Sequence, residues 1–270
     1  MARIGLVAGE GKIPLVFARA AKNKGDTVIA FGLKGVTDPE LERHVHKMHW
    51  LEWGKWHKAV MLLPIERIKK IVMLGKLKKE VVFKLDNKLD EETKTIFDHL
   101  GDKKDYSILD KVGEQLGKFG VEILDSTVYL KDLIPSAGVL TEKKPAKAEW
   151  DDIDYAKGVA KGLSGFDIGQ TVVVKDKTII AVEAMEGTDE TIARAGALVK
   201  SGFVVVKVAR PKQDMRFDVP LVGLETLKAL IKAGGRVLAL EADKTLIMDK
   251  DELVKLADEK GVSVVVISQR

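Results

Sequence analysis

The amino-acid sequence predicts an α/β protein built from two domains. A short apolar run at residues 3–8 is followed by two glycines and a helical pattern, and then by a second apolar run at 27–31. Along the rest of the chain, apolar segments of strand length alternate with helical segments, a pattern typical of sheets covered by helices. The pattern is interrupted between residues 134 and 154. We therefore expect one α/β domain on each side of this interruption.

The first domain is predicted over residues 1–137 as a Rossmann-like parallel sheet. Its β-loop-α-β opening supports this interpretation, because strands joined through helices pair in parallel. The later strand signals lie at 71–74 and 121–124, and the later helical patterns at 57–63 and 107–118.

Residues 138–149 are predicted as a linker, because Pro135, Gly138 and Pro145 break the periodicity beside a stretch rich in Lys and Glu. The second domain is then expected over 150–270 as an α/β catalytic domain. Its strand signals lie at 171–174, 179–182, 202–208, 237–240 and 263–267, and its helical patterns at 188–201, 225–233 and 250–260.

The composition excludes several classes of protein. With 46% hydrophobic and 32% charged residues, the chain has the composition of a globular protein and not of a disordered one. Its apolar runs are much shorter than the roughly 20 residues of a membrane-spanning helix. The N-terminal residues lead directly into a strand pattern without a secretory signal, so we expect a cytoplasmic protein. Because the chain has no cysteine, a metal would need oxygen or imidazole ligands, which favours Mg²⁺ or Mn²⁺.

The charge balance gives little support to nucleic acid as a partner. The chain has 45 basic and 41 acidic residues, a formal net charge of +4, and we expect no nucleic-acid binding. Lysines are dense between residues 69 and 88, and Trp50, Trp53 and Trp56 recur every three residues. A solvated surface and core packing are the favoured interpretations of these two features. Peripheral contact with an anionic membrane face is the alternative.

A glycine loop follows the first predicted strand. Gly9 and Gly11 precede a helix start at which Pro14 is well placed. Such a loop is the place for a phosphate-binding turn, because the first N–H groups of a helix point outwards there. Pro14 stands where the dinucleotide pattern has its third glycine, so a tight turn and a nucleotide contact both remain open.

Three histidines, His44, His46 and His49, lie close together in the first domain. The spacing fixes no carboxylate partner beside them, so we predict a structural role and not a metal site.

Two polar clusters follow strands in the second domain. The first, at residues 183–190, concentrates carboxylates and a glycine where a strand becomes a helix, so metal binding and helix capping are both open. The second, at 207–218, mixes cations with carboxylates directly after an apolar strand. Phosphoryl chemistry needs both, because carboxylates hold a metal and cations offset the developing charge. A surface ion-pair network is the alternative.

These segments resemble the LpxI-type UDP-2,3-diacylglucosamine pyrophosphatases. The resemblance is carried in order by residues 5–14, 167–174, 181–189 and 207–223, and its specific blocks are AVEAMEGTDE and QDMRFDVPLVG. It implies two domains with the substrate between them, a homodimer, and magnesium-assisted attack of water on the α-phosphorus of a lipid-linked UDP-sugar. The products would be UMP and 2,3-diacylglucosamine 1-phosphate. It also implies that the aspartate of the RFD-x-P segment, Asp218, is essential, either as a metal ligand or in activating water.

The candidate residues follow from these clusters and from the resemblance. The catalytic candidates are Asp218, Asp214 and Arg216; the substrate-binding candidates are Gly9, Gly11, Gln170, Gly187, Thr188 and Lys207; the metal candidates are Asp218, Asp189 and Glu183. The alternative functions are a non-catalytic nucleotide-sugar-binding protein and a hydrolase of another nucleotide-linked lipid or sugar. A nicotinamide-dependent oxidoreductase is disfavoured by the missing third glycine.

Overall fold

The computed structural model describes residues 1–52, 54–76 and 105–268. The chain forms two units: residues 1–130 with 214–218 make the N-terminal unit, and 131–213 with 219–270 make the C-terminal unit. Trp53 and the predicted lysine-rich stretch beyond Lys76 lie outside the described residues. Within the described ranges, no helix is both long and apolar enough to cross a membrane.

The N-terminal unit contains a parallel sheet with the strand order β3-β2-β1-β4-β5. The strands are β1 (Arg3–Ala8), β2 (Thr27–Leu33), β3 (Lys47–Leu51), β4 (Lys70–Leu74) and β5 (Glu122–Ile123). The helices are α1 (Ile13–Asn23), α2 (Trp56–Ile65) and α3 (Asp105–Lys118), with a 3₁₀ helix at Pro39–His44. The chain moves outwards from β1 to β3 and then returns to β4 on the other side of β1. The strand order therefore reverses between β1 and β4, where α/β sheets commonly bind ligands at the carboxyl ends of the strands.

The C-terminal unit contains a mixed sheet with the strand order β6-β13-β11-β9-β7-β8. Its central strands β9, β11 and β13 are parallel, whereas β6 and β7 pair antiparallel with their neighbours. The strands of this sheet are β6 (Gly138–Val139), β7 (Thr171–Lys175), β8 (Thr178–Val182), β9 (Val204–Lys207), β11 (Val237–Glu241) and β13 (Ser263–Ile267). A separate parallel pair is formed by β10 (Leu221–Val222) and β12 (Leu246–Ile247).

Helices cover both faces of this mixed sheet: α4 (Lys147–Gly165), α5 (Thr188–Val199), α6 (Leu224–Ala233) and α7 (Lys250–Glu259), with a 3₁₀ helix at Lys131–Leu133. Side chains alternate between the two faces of a strand, so each central strand contributes to two apolar clusters. In β9, Val205 packs in the cluster that contains residues of α5, α6 and α7, and Val204 packs in the cluster that contains residues of α4. The α/β class expected from the sequence is confirmed.

The structure draws the division between the units differently from the predicted linker at 138–149. These residues contain β6 and the first residues of α4, so they contribute a strand and part of a helix to the C-terminal unit. Residues 214–218, which the sequence places inside the second domain, belong to the N-terminal unit. The pairing of β6 with β13 places the first segment, and the burial of Phe217 places the second. Sequence periodicity reports neither contact.

Candidate active site

The glycine loop lies at the carboxyl end of β1, beside the end of β4. The Gly9 N–H donates to the Leu74 carbonyl at 2.8 Å, and the backbones of Glu10 and Lys76 exchange two hydrogen bonds of 2.9 Å. A Cβ atom on Gly9 would lie 2.7 Å from the Lys76 carbonyl oxygen. Gly9 is therefore required by backbone packing where the strand order reverses.

Gly11 has a different role in the same loop. Its φ is +102°, a conformation that favours glycine, and no atom lies within 4 Å of the position a Cβ would take. The loop then enters α1, whose N-cap residue Lys12 makes no side-chain capping hydrogen bond. The first N–H groups of such a helix attract anions. Gly11 therefore opens the space in front of α1, and Gly9 fixes the base of the loop.

Residues 214–218 form a tight turn on the N-terminal unit. The Asp214 carboxylate accepts from the Arg216 N–H at 2.9 Å and pairs with its guanidinium, with Nη2 to Oδ2 at 2.6 Å. The hydrogen bonds and charge of Arg216 lower the pKa of Asp214 against the effect of partial burial. The Phe217 side chain is buried in the core of the unit. Two of the predicted catalytic residues thus hold each other and shape the turn.

Asp218 ends this turn with an exposed side chain. Its φ is 46°, in the left-handed region that Asp and Asn adopt more readily than other non-glycine residues. The turn is attached to the sheet through Ser126, whose N–H donates to the Met215 carbonyl at 2.9 Å. The Ser126 hydroxyl lies 2.9 Å from the Met73 carbonyl in β4. Consecutive residues of β4, Met73 and Leu74, therefore contact the anchor of the Asp218 turn and the glycine loop.

A second polar cluster lies in the C-terminal unit, at the carboxyl end of β9. The Lys207 ammonium donates to the Thr188 hydroxyl at 2.8 Å, and that hydroxyl donates to Glu183 Oε1 at 2.8 Å. Glu183 Oε2 accepts from the Gln170 N–H at 3.2 Å and lies 3.9 Å from the Lys207 ammonium. Gly187, with a φ of +86°, directly precedes Thr188 at the start of α5. The structure thus brings Glu183 together with four predicted substrate-binding residues.

The electrostatics of this cluster are balanced internally. Burial by itself would raise the pKa of Glu183. The Lys207 ammonium and hydrogen bonds from Thr171, Thr188 and the Gln170 N–H outweigh burial and lower that pKa. The cluster therefore consists of a carboxylate and an ammonium that stabilise each other as ions.

Two family models together match most of the chain. A model described as the LpxI N-terminal domain matches residues 3–133, and one described as the LpxI C-terminal domain matches residues 136–265. The chain belongs to the LpxI family. The UDP-2,3-diacylglucosamine pyrophosphatase LpxI of Caulobacter vibrioides is 28% identical over 276 residues, covering 98% of this chain and 97% of that relative. The family resemblance predicted from the sequence is confirmed.

Solved structures give a weaker comparison than the LpxI family does. Biotin carboxylase structures from Hydrogenobacter thermophilus and Campylobacter jejuni are 13% and 12% identical to this chain, with TM-scores of 0.27 and 0.28. Each covers 72% of this chain, which spans only 40% and 41% of their lengths. Similarity at this level carries no argument about fold or activity.

The predicted metal ligands do not form a protein cage in the described part of the LpxI chain. No group of three His, Asp or Glu side chains there is arranged to hold a metal ion. Asp189 accepts a hydrogen bond from the Thr226 hydroxyl at 2.7 Å, and Glu183 is held by its own cluster. Mg²⁺ commonly keeps several waters and takes one or two carboxylates together with substrate phosphates. The exposed carboxylate of Asp218 fits that mode of binding.

Two ion pairs near β9 and β11 were not predicted from the sequence, although Arg210 and Asp167 lie in segments that it singled out. The Lys161 ammonium lies 2.6 and 2.7 Å from the two carboxylate oxygens of Glu241, which also accepts from the Ala209 N–H at 2.6 Å. Arg210 pairs with Asp167 at 2.7 Å. The signal for Glu241 was its position at the end of the apolar run Val237–Glu241. Its partner on α4 lies 80 residues earlier and had no such signal.

The three histidines take up structural positions or surface pairs. His49 Nε2 lies 2.7 Å from Glu66 Oε1, and the His49 ring stacks on Phe31. His46 Nδ1 accepts from the Val28 N–H, and His44 lies beside Glu40 at 3.4 Å. These contacts agree with the structural role expected from the spacing.

Proposed function

We propose that this chain hydrolyses the pyrophosphate of UDP-2,3-diacylglucosamine to UMP and 2,3-diacylglucosamine 1-phosphate. Membership of the LpxI family and the activity named for the Caulobacter relative support the reaction. The observation that carries it is the attachment of the Asp218 turn and the glycine loop to consecutive residues of β4. That arrangement puts an exposed carboxylate and an anion-attracting helix start on the same edge of one sheet.

In this proposal the N-terminal unit is a Rossmann-like nucleotide-binding unit. The order β3-β2-β1-β4-β5 supports this assignment, because it reverses beside the glycine loop. The α1 N-terminus, opened by Gly11, would bind phosphate oxygens of the UDP group through its N–H groups. Asp218 would orient the attacking water or bind a metal ion at the scissile phosphate.

A divalent ion, Mg²⁺ or Mn²⁺, would offset charge on the phosphate oxygens when bound. The Asp214–Arg216 pair holds the turn that presents Asp218, and the Arg216 guanidinium adds a positive charge two residues away. Lys207, Thr188 and the Gly187 backbone at the start of α5 remain proposed as substrate-binding groups. Asp189 and Glu183 remain proposed as further metal ligands.

We further propose that the protein is a cytoplasmic homodimer and that it contacts the inner membrane peripherally. The diacylated substrate gives the reason for membrane contact, and exposed Met61 and Ile65 beside Lys58 on α2 offer an apolar and basic surface. Light scattering measures the oligomeric state. Sedimentation with anionic and neutral vesicles measures membrane binding.

The reaction is tested with purified protein, Mg²⁺ and UDP-2,3-diacylglucosamine in water enriched in ¹⁸O. Water attack on the α-phosphorus forms the new P–O bond in UMP, so the label should appear there and not in the sugar phosphate. Excess chelator should abolish turnover, and Mg²⁺ or Mn²⁺ should restore it.

UDP-glucosamine and other nucleotide-linked lipids and sugars serve as comparison substrates. Cleavage of one of these alone would identify a different nucleotide-linked hydrolase. Binding of them without cleavage would identify a nucleotide-sugar-binding protein.

A further inference from the structure

We infer that Ser126 is a positioning residue, which fixes the Asp218 turn to the sheet of the N-terminal unit; the inference rests on the proposed function of Asp218. Ser126 is 1% exposed and follows β5 by three residues. It lies 92 positions before Asp218 in the sequence, so no local pattern connects the two.

Ser126 makes three close polar contacts, and two of them are to the turn. Its N–H donates to the Met215 carbonyl at 2.9 Å, and its hydroxyl lies 2.8 Å from the Arg216 carbonyl. The same hydroxyl lies 2.9 Å from the Met73 carbonyl of β4. A serine hydroxyl has one hydrogen, which it donates to one of the two carbonyls or shares between them. The side chain thus links a central strand to the residues just before Asp218.

Two further contacts hold residues 214–218 in place. The Asp214–Arg216 pair closes the turn on itself, and Phe217 anchors it by burial in the core. Neither of these two contacts is a hydrogen bond to the Arg216 carbonyl, which lies beside the Ser126 hydroxyl. A displacement of about 1 Å in a group that acts on a reacting centre can lower a rate roughly 100-fold. Ser126 supplies the orientation, whereas Phe217 supplies the attachment.

Three variants test this role: Ser126→Ala removes the hydroxyl, Ser126→Cys retains a weak donor, and Thr141→Val is the matched control. Thr141 is also buried, and its hydroxyl also bridges two backbone groups, accepting from the Val264 N–H at 3.0 Å and donating to the Lys143 carbonyl at 2.9 Å. It belongs to the C-terminal unit. Loss of one buried hydroxyl is therefore common to both positions, and only one of them contacts the Asp218 turn.

We expect Ser126→Ala to lower kcat on the order of 10- to 100-fold with KM within about twofold, and Ser126→Cys to lower it less. Thr141→Val should leave kcat within about twofold at a temperature where all three variants are folded. In an Asp218→Asn background, Ser126→Ala should cause no further loss, because Ser126 acts through Asp218. Independent losses that multiply would overturn the inference, as would wild-type kcat in Ser126→Ala.

Hydrogen exchange provides a readout that does not depend on activity. Peptides covering residues 214–218 should exchange faster in Ser126→Ala than in wild type, with other peptides of the N-terminal unit unchanged. An unchanged hydrogen-exchange rate at residues 214–218 in Ser126→Ala would contradict the positioning role of Ser126. Full activity of Asp218→Asn, or no hydrolysis by the wild type, would instead contradict the proposed function. Hydrogen exchange at residues 214–218 would then still test whether Ser126 holds the turn. Should Ser126→Ala fail to fold, Ser126→Cys carries both measurements.

Discussion

The Lys207 cluster and the Asp218 turn are separated by only a few residues in sequence, yet one is buried and the other is exposed. Lys207 is 7% exposed and satisfied by Thr188 and Glu183, whereas Asp218 ends an exposed turn with a left-handed backbone. Lys207 belongs to the C-terminal unit, and residues 214–218 belong to the N-terminal unit. Removing one member of a buried, internally balanced ion pair costs stability, whereas an exposed carboxylate in a constrained turn suits contact with substrate.

The largest expected effect is on catalysis, in the variant Asp218→Asn. The amide keeps the size of the carboxylate and tolerates the φ of 46°, but it loses the charge. We expect turnover of UDP-2,3-diacylglucosamine to fall by about 10³-fold, because the role proposed for this carboxylate is at the phosphate, where charge develops in the transition state. The melting temperature should change by less than about 2 °C, since substitutions at the surface usually cost under 0.5 kcal/mol.

Asp218→Ala is a less clean variant than Asp218→Asn. Alanine in a left-handed conformation costs roughly 1 to 2 kcal/mol, so a loss of stability would accompany any loss of rate. Asn and Gly at this position both avoid that strain. Near wild-type turnover by Asp218→Asn would mean that its charge is not needed, and the comparison between the two regions would fail.

The second expected effect is on stability, in Lys207→Met. Removing one member of a buried ion pair leaves the other uncompensated and typically costs about 3 to 5 kcal/mol. Thermal unfolding should therefore show a large drop, and the pKa of Glu183 should rise because the ammonium no longer opposes burial.

The double variant Lys207→Met with Glu183→Gln is the control for this effect. It should recover much of the lost stability, because no buried charge is then left unpaired. A wild-type melting temperature in Lys207→Met alone would show that the cluster is not a stabilising pair.

Much of the α/β organisation could be predicted from the sequence, because it depends on local periodicity. Apolar runs at 202–208 and 263–267 contain β9 and β13, and the helical pattern at 107–118 corresponds to α3. The two-residue strand β6 could not be predicted, since two residues define no period. Because β6 pairs antiparallel with β13, about 125 residues away, the first residues of the predicted linker are part of the sheet.

The composition of the candidate site was visible in the sequence, but its assembly was not. Gln170, Gly187, Thr188 and Lys207 are predicted from the segments beside strands and from the family resemblance, and they lie together in the structure. Ser126 and the Lys161–Glu241 pair depend on contacts between residues more than 50 positions apart. Sequence pattern reports which face of an element is apolar, and it does not report which distant backbone carbonyl a buried hydroxyl will reach.

The third expected effect distinguishes the two glycines of the loop. A Cβ on Gly9 would lie 2.7 Å from the Lys76 carbonyl oxygen and 2.9 Å from the Gly75 carbonyl carbon, so Gly9→Ala must move backbone. We expect a cost of roughly 1 to 3 kcal/mol in the free energy of unfolding. Gly11→Ala meets open space and should cost only about 1 kcal/mol for its φ of +102°.

Denaturant titration of the two alanine variants measures these stabilities. If Gly11 opens the phosphate site, Gly11→Ala should also raise KM for the nucleotide substrate. Equal stability losses in the two variants would contradict the different roles assigned to the glycines.

The smallest expected effect concerns pH and the buried carboxylate of Glu66 in the N-terminal unit. Its oxygens lie 2.5 Å from the Lys47 ammonium, 2.7 Å from His49 Nε2 and 3.1 Å from Arg3 Nη2. The hydrogen bond from Lys47 is the main reason that the pKa of Glu66 is lowered to about 2, with His49 adding to it against burial. Lys47 and Arg3 are half-exposed, so solvent screens their share, and we expect an effect within about 1 kcal/mol. Because the folded-state pKa is below the ordinary value of 4.5, this stabilisation is present above pH 4.5 and is lost as the pH falls towards 2.

Melting temperatures measured between pH 6 and pH 2 should fall less steeply below about pH 5 in Glu66→Gln than in wild type. Identical slopes would show that Glu66 titrates alike in the folded and unfolded chains, and the depressed pKa would then be wrong.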